Sequence, residues 1–210
     1  MTYTPVVAEQ RFLLDHIVRL DEIAANPRFA DATPDMVDAI LTGIRDFAAS
    51  EYAPTNRVGD THFPKWADGA VTMPPGFKEA YQHFVANGWG SLNGPVDFGG
   101  QGLPYALYTA LIEDLGTANM GFTLINILTP GAIESLVHHG SPEQQAKWLP
   151  KLVSGEWNGT MNLTEPQAGS DVGALKTTAT PITDGEHAGK YKIKGTKIFI
   201  TFGEHDLTDN

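Results

Sequence analysis

Apolar residues recur three and four positions apart along most of this chain, and only toward its end do they begin to alternate. Phe12, Leu13, Ile17, Leu20 and Ile23 predict an amphipathic helix over 11–25. Thr33-Pro34 reads as an N-cap followed by a proline at the first helical position. From there Met36, Val37, Ile40, Leu41, Ile44, Phe47 and Ala48 draw one stripe, and this helix is expected to fade before Pro54. An irregular polar loop is expected over 55–74. Pro75 then opens a helix with Phe77, Ala80, Tyr81, Phe84 and Val85 inward and Gly88 as its stop. The stretch 89–103, with five glycines and one proline, reads as loop. Helices are predicted over 104–115, 119–127 and 130–139. Ser141-Pro142-Glu143-Gln144 combines an N-cap, an N1 proline and a capping-box glutamine, opening a helix through Leu149, Leu152 and Val153. The apolar character on all sides near 122–128 predicts helices that bury one another as a bundle.

The period changes near Gly155. Segments 159–163, 175–181, 191–194 and 197–201 read as short strands, with Gly185 and Gly189 between the second and third and Gly195 as a tight hairpin between the third and fourth. Strands that follow a helical block, rather than alternate with it, give an α+β class with segregated layers. The expected organisation is an all-α helical bundle domain over 1–154 and an antiparallel β-domain beginning at 155. Four strands leave an open edge, and the sequence stops just past the last of them at Asp209-Asn210, so the β-domain reads as truncated.

Composition narrows the partners. The formal net charge of -11 repels nucleic-acid phosphates and anionic membranes, so neither is expected as a partner. Cysteine is absent, which removes disulfides and thiolate zinc sites. The first ten residues lack a basic and then apolar leader, and no uninterrupted apolar run reaches about 18 residues. A soluble, cytoplasmic protein is expected.

Four stretches compete for chemistry. Gly99, Gly100 and Gly102 suggest a phosphate loop, but no Lys-Ser/Thr follows and no strand precedes a G-x-G-x-x-G; a turn into the Pro104 helix fits better. His138-His139 sit about 100° apart on a helix and lack a carboxylate at ligand spacing, so a solvated helix end is expected and no metal. Glu204-His205-Asp206 offers acid-base groups, although three such residues in a turn usually face water. The fourth is Met161-Asn162-Leu163-Thr164-Glu165-Pro166-Gln167-Ala168-Gly169-Ser170-Asp171, at the junction of helices and strands. Pro166 ends the extended run. Gly169 permits positive φ and close approach by another molecule. The hydroxyls of Thr164 and Ser170, beside turn amides, would offer donors to an anionic group such as a phosphate. The same composition also suits a plain structural hairpin.

That stretch resembles the first signature of the acyl-CoA dehydrogenase flavoproteins, and other stretches agree in order and spacing. Pro95-Val96-Asp97-Phe98-Gly99-Gly100-Gln101-Gly102-Leu103 is similar to the family's glycine-rich loop, with Val96-Asp97 standing where two acids are common. The segment 141–156 resembles the helix leading into the middle domain, and 191–203 the strand pair carrying a flavin-stacking aromatic. The N-terminal segment 3–20, with Gly203-Glu204-His205-Asp206, is similar to the branch acting on 3-methylmercaptopropionyl-CoA.

The resemblance implies a helical N-terminal domain, a middle β-domain and a C-terminal four-helix domain, with FAD bound among them; the last is expected to be absent here. It implies that Met161, Leu163 and Thr164 meet the flavin pyrimidine edge. Gly169 and Ser170 would lie near the pyrophosphate, Ser170 also beside the CoA moiety. Phe199 stands where a tryptophan often packs on the isoalloxazine, and Thr201 matches a hydroxyl near flavin N5 and O4. Leu124, Ile127 and Leu128 fall where the acyl pocket is lined, although burial in the bundle explains them equally well. The implied reaction is α,β-dehydrogenation of an acyl-CoA thioester, with an electron-transfer flavoprotein as partner and a homo-oligomer, dimer or tetramer, at full length. The family's catalytic glutamate would lie beyond Asn210, so no residue here inherits its role, and the 210-residue chain alone is expected to be inactive and to bind FAD weakly or not at all. Two other readings remain: an acyl-CoA oxidase that hands electrons to oxygen, and a helical interaction module without redox work.

Overall fold

The computed structural model describes residues 3–208, in two compact units: residues up to 159 together with those from 204 onward, and residues 160–203. The chain is helix-rich with two small antiparallel sheets, the α+β class expected.

The first unit begins with α1 (Val7–Leu13), a wide helical turn over Leu14–Val18, and α2 (Leu20–Ala24). The single helix expected over 11–25 is therefore broken. Arg19 adopts a left-handed conformation (φ 56°), which turns Leu20 into the core while Phe12 and Ile17 stay exposed. Next, α3 (Pro34–Phe47) is capped as its sequence predicts, the Thr33 hydroxyl accepting from the Met36 amide at 3.3 Å. Its stripe of Val37, Ile40, Leu41, Ile44 and Phe47 is buried. The helix does not fade before Pro54. A wide turn over Ala48–Tyr52 leads directly into α4 (Ala53–Thr61), the Ala53 amide donating to the Ala48 carbonyl, with Pro54 in the first turn of α4. The polar loop expected over 55–74 instead contains the end of α4 and a hairpin of β1 (Lys65–Ala67) and β2 (Ala70–Thr72), turned at Asp68-Gly69.

After α5 (Phe77–Ala86), the glycine-rich segment folds on itself. Gly100 donates to the Pro95 carbonyl, Gln101 to Ser91, Gly102 to Gly94 and Leu103 to Leu92, all within 2.9–3.0 Å. Its amides are consumed internally, so it cradles no anion. The backbones of Gly94 and Gly100 cross so closely that a Cβ at Gly100 would sit 2.1 Å from the Gly94 carbonyl.

The three helices expected over 104–139 form one run, α6 (Tyr105–His139), with a kink at Asn119. Asn119 leaves helical geometry, and its side-chain oxygen accepts from the Phe122 amide at 3.1 Å, acting as an N-cap inside the run. Pro130 does not end the helix. A proline inside a helix frees the carbonyl four residues earlier, here that of Asn126, and the buried Tyr108 hydroxyl donates to it at 2.6 Å. By length and apolarity, Tyr105–His139 alone among the described helices could cross a membrane, with a best window of mean hydropathy 1.3. In the helical unit its buried face, Leu107, Leu111, Leu115 and Phe122, meets α3 and α4, and Phe122 stacks on Tyr52 with ring centroids 4.5 Å apart. Ser141 and Gln144 complete the predicted capping box of α7 (Pro142–Ser154), which closes on Gly155 at φ 82°. Leu149, Leu152 and Val153 pack with Ile133 of α6.

The second unit holds one regular hairpin, β3 (Thr178–Pro181) against β4 (Tyr191–Lys194), paired Thr178 to Lys194 through Pro181 to Tyr191. The strands expected over 159–163 and 197–201 are absent as strands, and Gly195 does not form a tight hairpin. Phe199 and Phe202 take left-handed φ of 57° and 49°, which an extended strand does not allow. The two segments nevertheless run alongside each other. The Thr160 hydroxyl donates to the Thr201 carbonyl at 2.6 Å, and the Ile198 amide donates to the Thr164 carbonyl at 2.9 Å.

Candidate functional site

All seven residues singled out for a cofactor lie in the second unit: Met161, Leu163, Thr164, Gly169, Ser170, Phe199 and Thr201. Glu165 and Ala168 exchange both backbone hydrogen bonds at 3.0 Å, closing a tight turn over Pro166-Gln167. Proline at the second position of such a turn presets its φ. Downstream, the Asp171 carboxylate accepts from the Gly173 amide at 3.1 Å and caps a short turn over Val172–Ala174.

Between these two fixed points stand Gly169, Ser170 and Asp171, all exposed. Among the described residues their amides donate no hydrogen bond, and the hydroxyls of Thr164, Ser170 and Thr201 find no partner. Three adjacent free amides with a hydroxyl among them are donors of the kind an anion-binding turn of successive main-chain N–H groups uses. Gly169 differs from expectation. Its φ is not in the left-handed region, and an added Cβ would meet nothing within 4 Å. What glycine leaves there is open approach rather than a special backbone conformation.

The antiparallel approach of 160–164 to 198–201 brings Thr164 beside Ile198 and Thr160 beside Thr201. Phe199, 85% exposed, offers a bare ring at φ 57°, and Met161 and Leu163 are exposed on the neighbouring segment. The unit thus gathers hydroxyls, free amides and one open aromatic face within 44 residues of chain, 160–203.

One residue of the stretch went unread as a site residue in the sequence. Glu165 is 3% exposed, and its carboxylate accepts from the Lys176 amide (2.8 Å), the Thr177 amide (3.0 Å), the Gln167 side chain (2.6 Å) and the Lys197 ammonium (2.9 Å). Hydrogen bonds from Thr177, Lys176 and Lys197, outweighing desolvation, hold this carboxyl well below the usual carboxylate range. Lys197 also donates to the Leu163 carbonyl at 2.8 Å. The only sequence signal is an acid in the motif and a lysine 32 residues later, which no local pattern connects.

The acyl-pocket candidates belong to the first unit and lie on the outward face of α6. Leu124 is 38% exposed and Ile127 42%, with Met120 one turn earlier also exposed; Leu128 is half-buried. Burial in the bundle therefore does not explain them, and the helix is not apolar on all sides. Its inward face instead buries Thr123, Asn126 and Thr129, with the Asn126 amide donating to the Tyr52 hydroxyl at 2.9 Å. Over this stretch polar residues share the buried face with Phe122 and Ile125, while Met120, Leu124 and Ile127 stay outside. An open cleft of about 450 Å³ in the same unit, lined by Lys78, Tyr81, Gln82 and Asp206 among others, includes none of these leucines and isoleucines.

The remaining candidates resolve simply. His138 pairs with Glu134 at 3.2 Å on an exposed surface. Contrary to a solvated turn, His205 is 5% exposed, its Nδ1 accepts from the Leu207 amide at 3.2 Å, and burial lowers its pKa. Asp206 accepts from the Met73 amide at 3.0 Å. No cluster of three or more metal-ligating side chains occurs among the described residues.

Comparison with known proteins gives this geometry a context. The family model for the acyl-CoA dehydrogenase N-terminal domain matches residues 35–156, and that for the middle domain residues 160–208. The chain is 43% identical, over all its 210 residues, to 35% of the length of the 3-methylmercaptopropionyl-CoA dehydrogenase of Ruegeria pomeroyi. It is 37% identical over 179 residues to the butyryl-CoA dehydrogenase of Syntrophomonas wolfei, spanning 84% of this chain and 29% of that protein. Among solved structures, an acyl-CoA dehydrogenase complexed with FAD from Bacillus anthracis superposes with a TM-score of 0.63 at 25% identity, over 81% of this chain and 27% of that one. The chain thus spans about a third of the length of its curated relatives. With a helical unit that matches the N-terminal family model and a donor-rich unit that matches the middle one, this chain belongs to the acyl-CoA dehydrogenase family.

Proposed function

We propose that the second unit supplies part of an FAD-binding face and that α6 supplies part of the acyl pocket of an acyl-CoA dehydrogenase. The proposed substrate is a thioester of the 3-methylmercaptopropionyl-CoA type. The observation that carries the reading is the set of free donors: three adjacent amides at Gly169, Ser170 and Asp171 and, in the same unit, the hydroxyls of Thr164, Ser170 and Thr201. These residues fit FAD chemically. The amides and Ser170 suit a pyrophosphate, the Thr164 and Thr201 hydroxyls suit the polar edge of the ring system, and the exposed Phe199 ring suits its face. When bound, FAD would supply the hydride-accepting chemistry that no side chain carries. The chain's own residues bind and orient. Met120, Leu124 and Ile127 present an unpartnered apolar stripe suited to an acyl chain and to excluding water from it. No residue of this chain is assigned the base that takes the α-proton. Electron-transfer flavoprotein as acceptor, a dimeric or tetrameric state and a cytoplasmic location belong to the same reading, drawn from the family resemblance.

The test is the visible spectrum of the purified full-length protein, followed by FAD titration. A yellow protein is expected, and FAD at one hundred times its Kd should raise stability by about 2.7 kcal/mol. A colourless protein whose melting temperature FAD leaves unchanged overturns the reading. Oxygen consumption during thioester oxidation by the full-length protein would assign the oxidase instead.

A further inference from the structure

The Glu165 carboxylate is unusual for an almost fully buried charge in a unit with so little apolar burial. A carboxylate offers acceptors only, with roughly four lone-pair positions, and here four donors meet it from three places in the chain: Gln167, the adjacent Lys176 and Thr177, and Lys197. A buried charge is tolerated when it is paired and its remaining acceptor positions are filled. The same residue exchanges backbone hydrogen bonds with Ala168, and its partner Lys197 fixes the Leu163 carbonyl. The Ile198 amide fixes the Thr164 carbonyl, one residue away from Glu165. Thr164 thus stands immediately before this clamp, and Gly169 and Ser170 immediately after it.

We propose that Glu165 is a positioning residue: through Lys176, Thr177 and Lys197 it holds the turn that aims Thr164, Gly169 and Ser170 at the ligand. The assignment rests on the FAD reading above for the identity of that ligand. Glu165 itself points its acceptors at protein donors. Glutamine is nearly isosteric, but its amide nitrogen would turn donors toward donors, so Glu165→Gln should open the clamp without a change of volume.

The experiment measures FAD affinity by fluorescence quenching, the visible envelope of the bound flavin and amide hydrogen exchange, for the purified wild-type protein, Glu165→Gln and Lys197→Met. All are compared well below each variant's melting temperature. Glu165→Gln is expected to weaken FAD binding roughly tenfold or more, on the scale of hydrogen bonds to charged groups. It should also shift the visible envelope and accelerate exchange at Lys176 and Thr177, while amides of Leu107 and Leu111 are unchanged. Lys197→Met should move the same readouts less, and decides the matter if Glu165→Gln does not fold. Equal FAD affinity and spectrum in wild type and variants, whatever their melting temperatures, overturns the positioning role and leaves the FAD reading standing. A wild type that binds no FAD overturns that reading instead, and the exchange at Lys176 and Thr177 still decides whether Glu165 clamps the turn.

Discussion

In the helical unit, Leu41, Ile44, Tyr52, Leu107, Leu111, Leu115 and Phe122 are almost fully buried on several helices. In the smaller unit, Glu165 and Ala168 are the buried residues among those described, and one of the two is a charge. The first is held by removal of apolar surface from water, which is non-directional and tolerant of pH. The second is held by a carboxylate and its donors, whose geometry is directional and whose strength depends on protonation. A region held in that way can keep amides and hydroxyls uncommitted at its surface, since its order does not require them.

The contrast breaks most visibly at Phe122. Phe122→Ala removes a ring stacked on Tyr52 and in contact with Phe77, and should cost about 3–5 kcal/mol in urea denaturation. A smaller loss, roughly 1–3 kcal/mol, is expected for Asn126→Ala, which leaves the buried Tyr52 hydroxyl without its partner. Recovery of that loss in an Asn126→Ala/Tyr52→Phe double variant would confirm the source.

Acid and base should separate the two units by sign. The Glu165 carboxyl lies well below its ordinary value in the folded protein, so its contribution is present above the unfolded glutamate pKa and drains away as pH falls toward the folded value. Asp114 behaves oppositely. Burial pushes its carboxyl up, against hydrogen bonds from Tyr3 and Gln10 and with Glu113 adding to the shift. Its contribution is therefore full below the unfolded aspartate pKa and lost as pH rises through the raised folded one. Asp114→Asn should accordingly stabilise the protein at neutral pH and lose that advantage in mild acid, followed by thermal melts across pH. A variant less stable than wild type at neutral pH would contradict this.

The smallest effect belongs to Gly169→Ala. With no atom within 4 Å of the added methyl, stability should stay within about 0.5 kcal/mol of wild type. Any loss of FAD affinity would then report crowding of the amide face alone.

How much of this was readable in advance follows from the range of each interaction. Local signals held where partner and residue are neighbours: the Thr33 cap, the Ser141–Gln144 box and Gly88 as the stop after α5. Signals failed where a distant group intervened. Pro130 reads as a break unless Tyr108, 22 residues earlier, is known to satisfy the carbonyl it frees. The strands expected around Met161 and Phe199 have the right composition, but left-handed residues at 199 and 202 keep the later segment from extending as the earlier one's partner. The site motif was legible as a donor-rich turn; its anchor was not, because Glu165 meets Lys176, Thr177 and Lys197 only after folding. On α6, Thr123, Asn126 and Thr129 are buried beside Phe122 and Ile125 while Leu124 and Ile127 stay outside, which periodicity alone does not assign.

The crossing of Gly94 and Gly100 has a consequence for sequence tolerance. Since any carbon beyond Cα at 100 would occupy the place of the Gly94 carbonyl, a library randomised at that codon and selected for soluble expression should return glycine alone, while the same library at 169 should return a broad alphabet. Two glycines that look alike on paper would then be told apart by a growth plate: one is a contact, the other an opening.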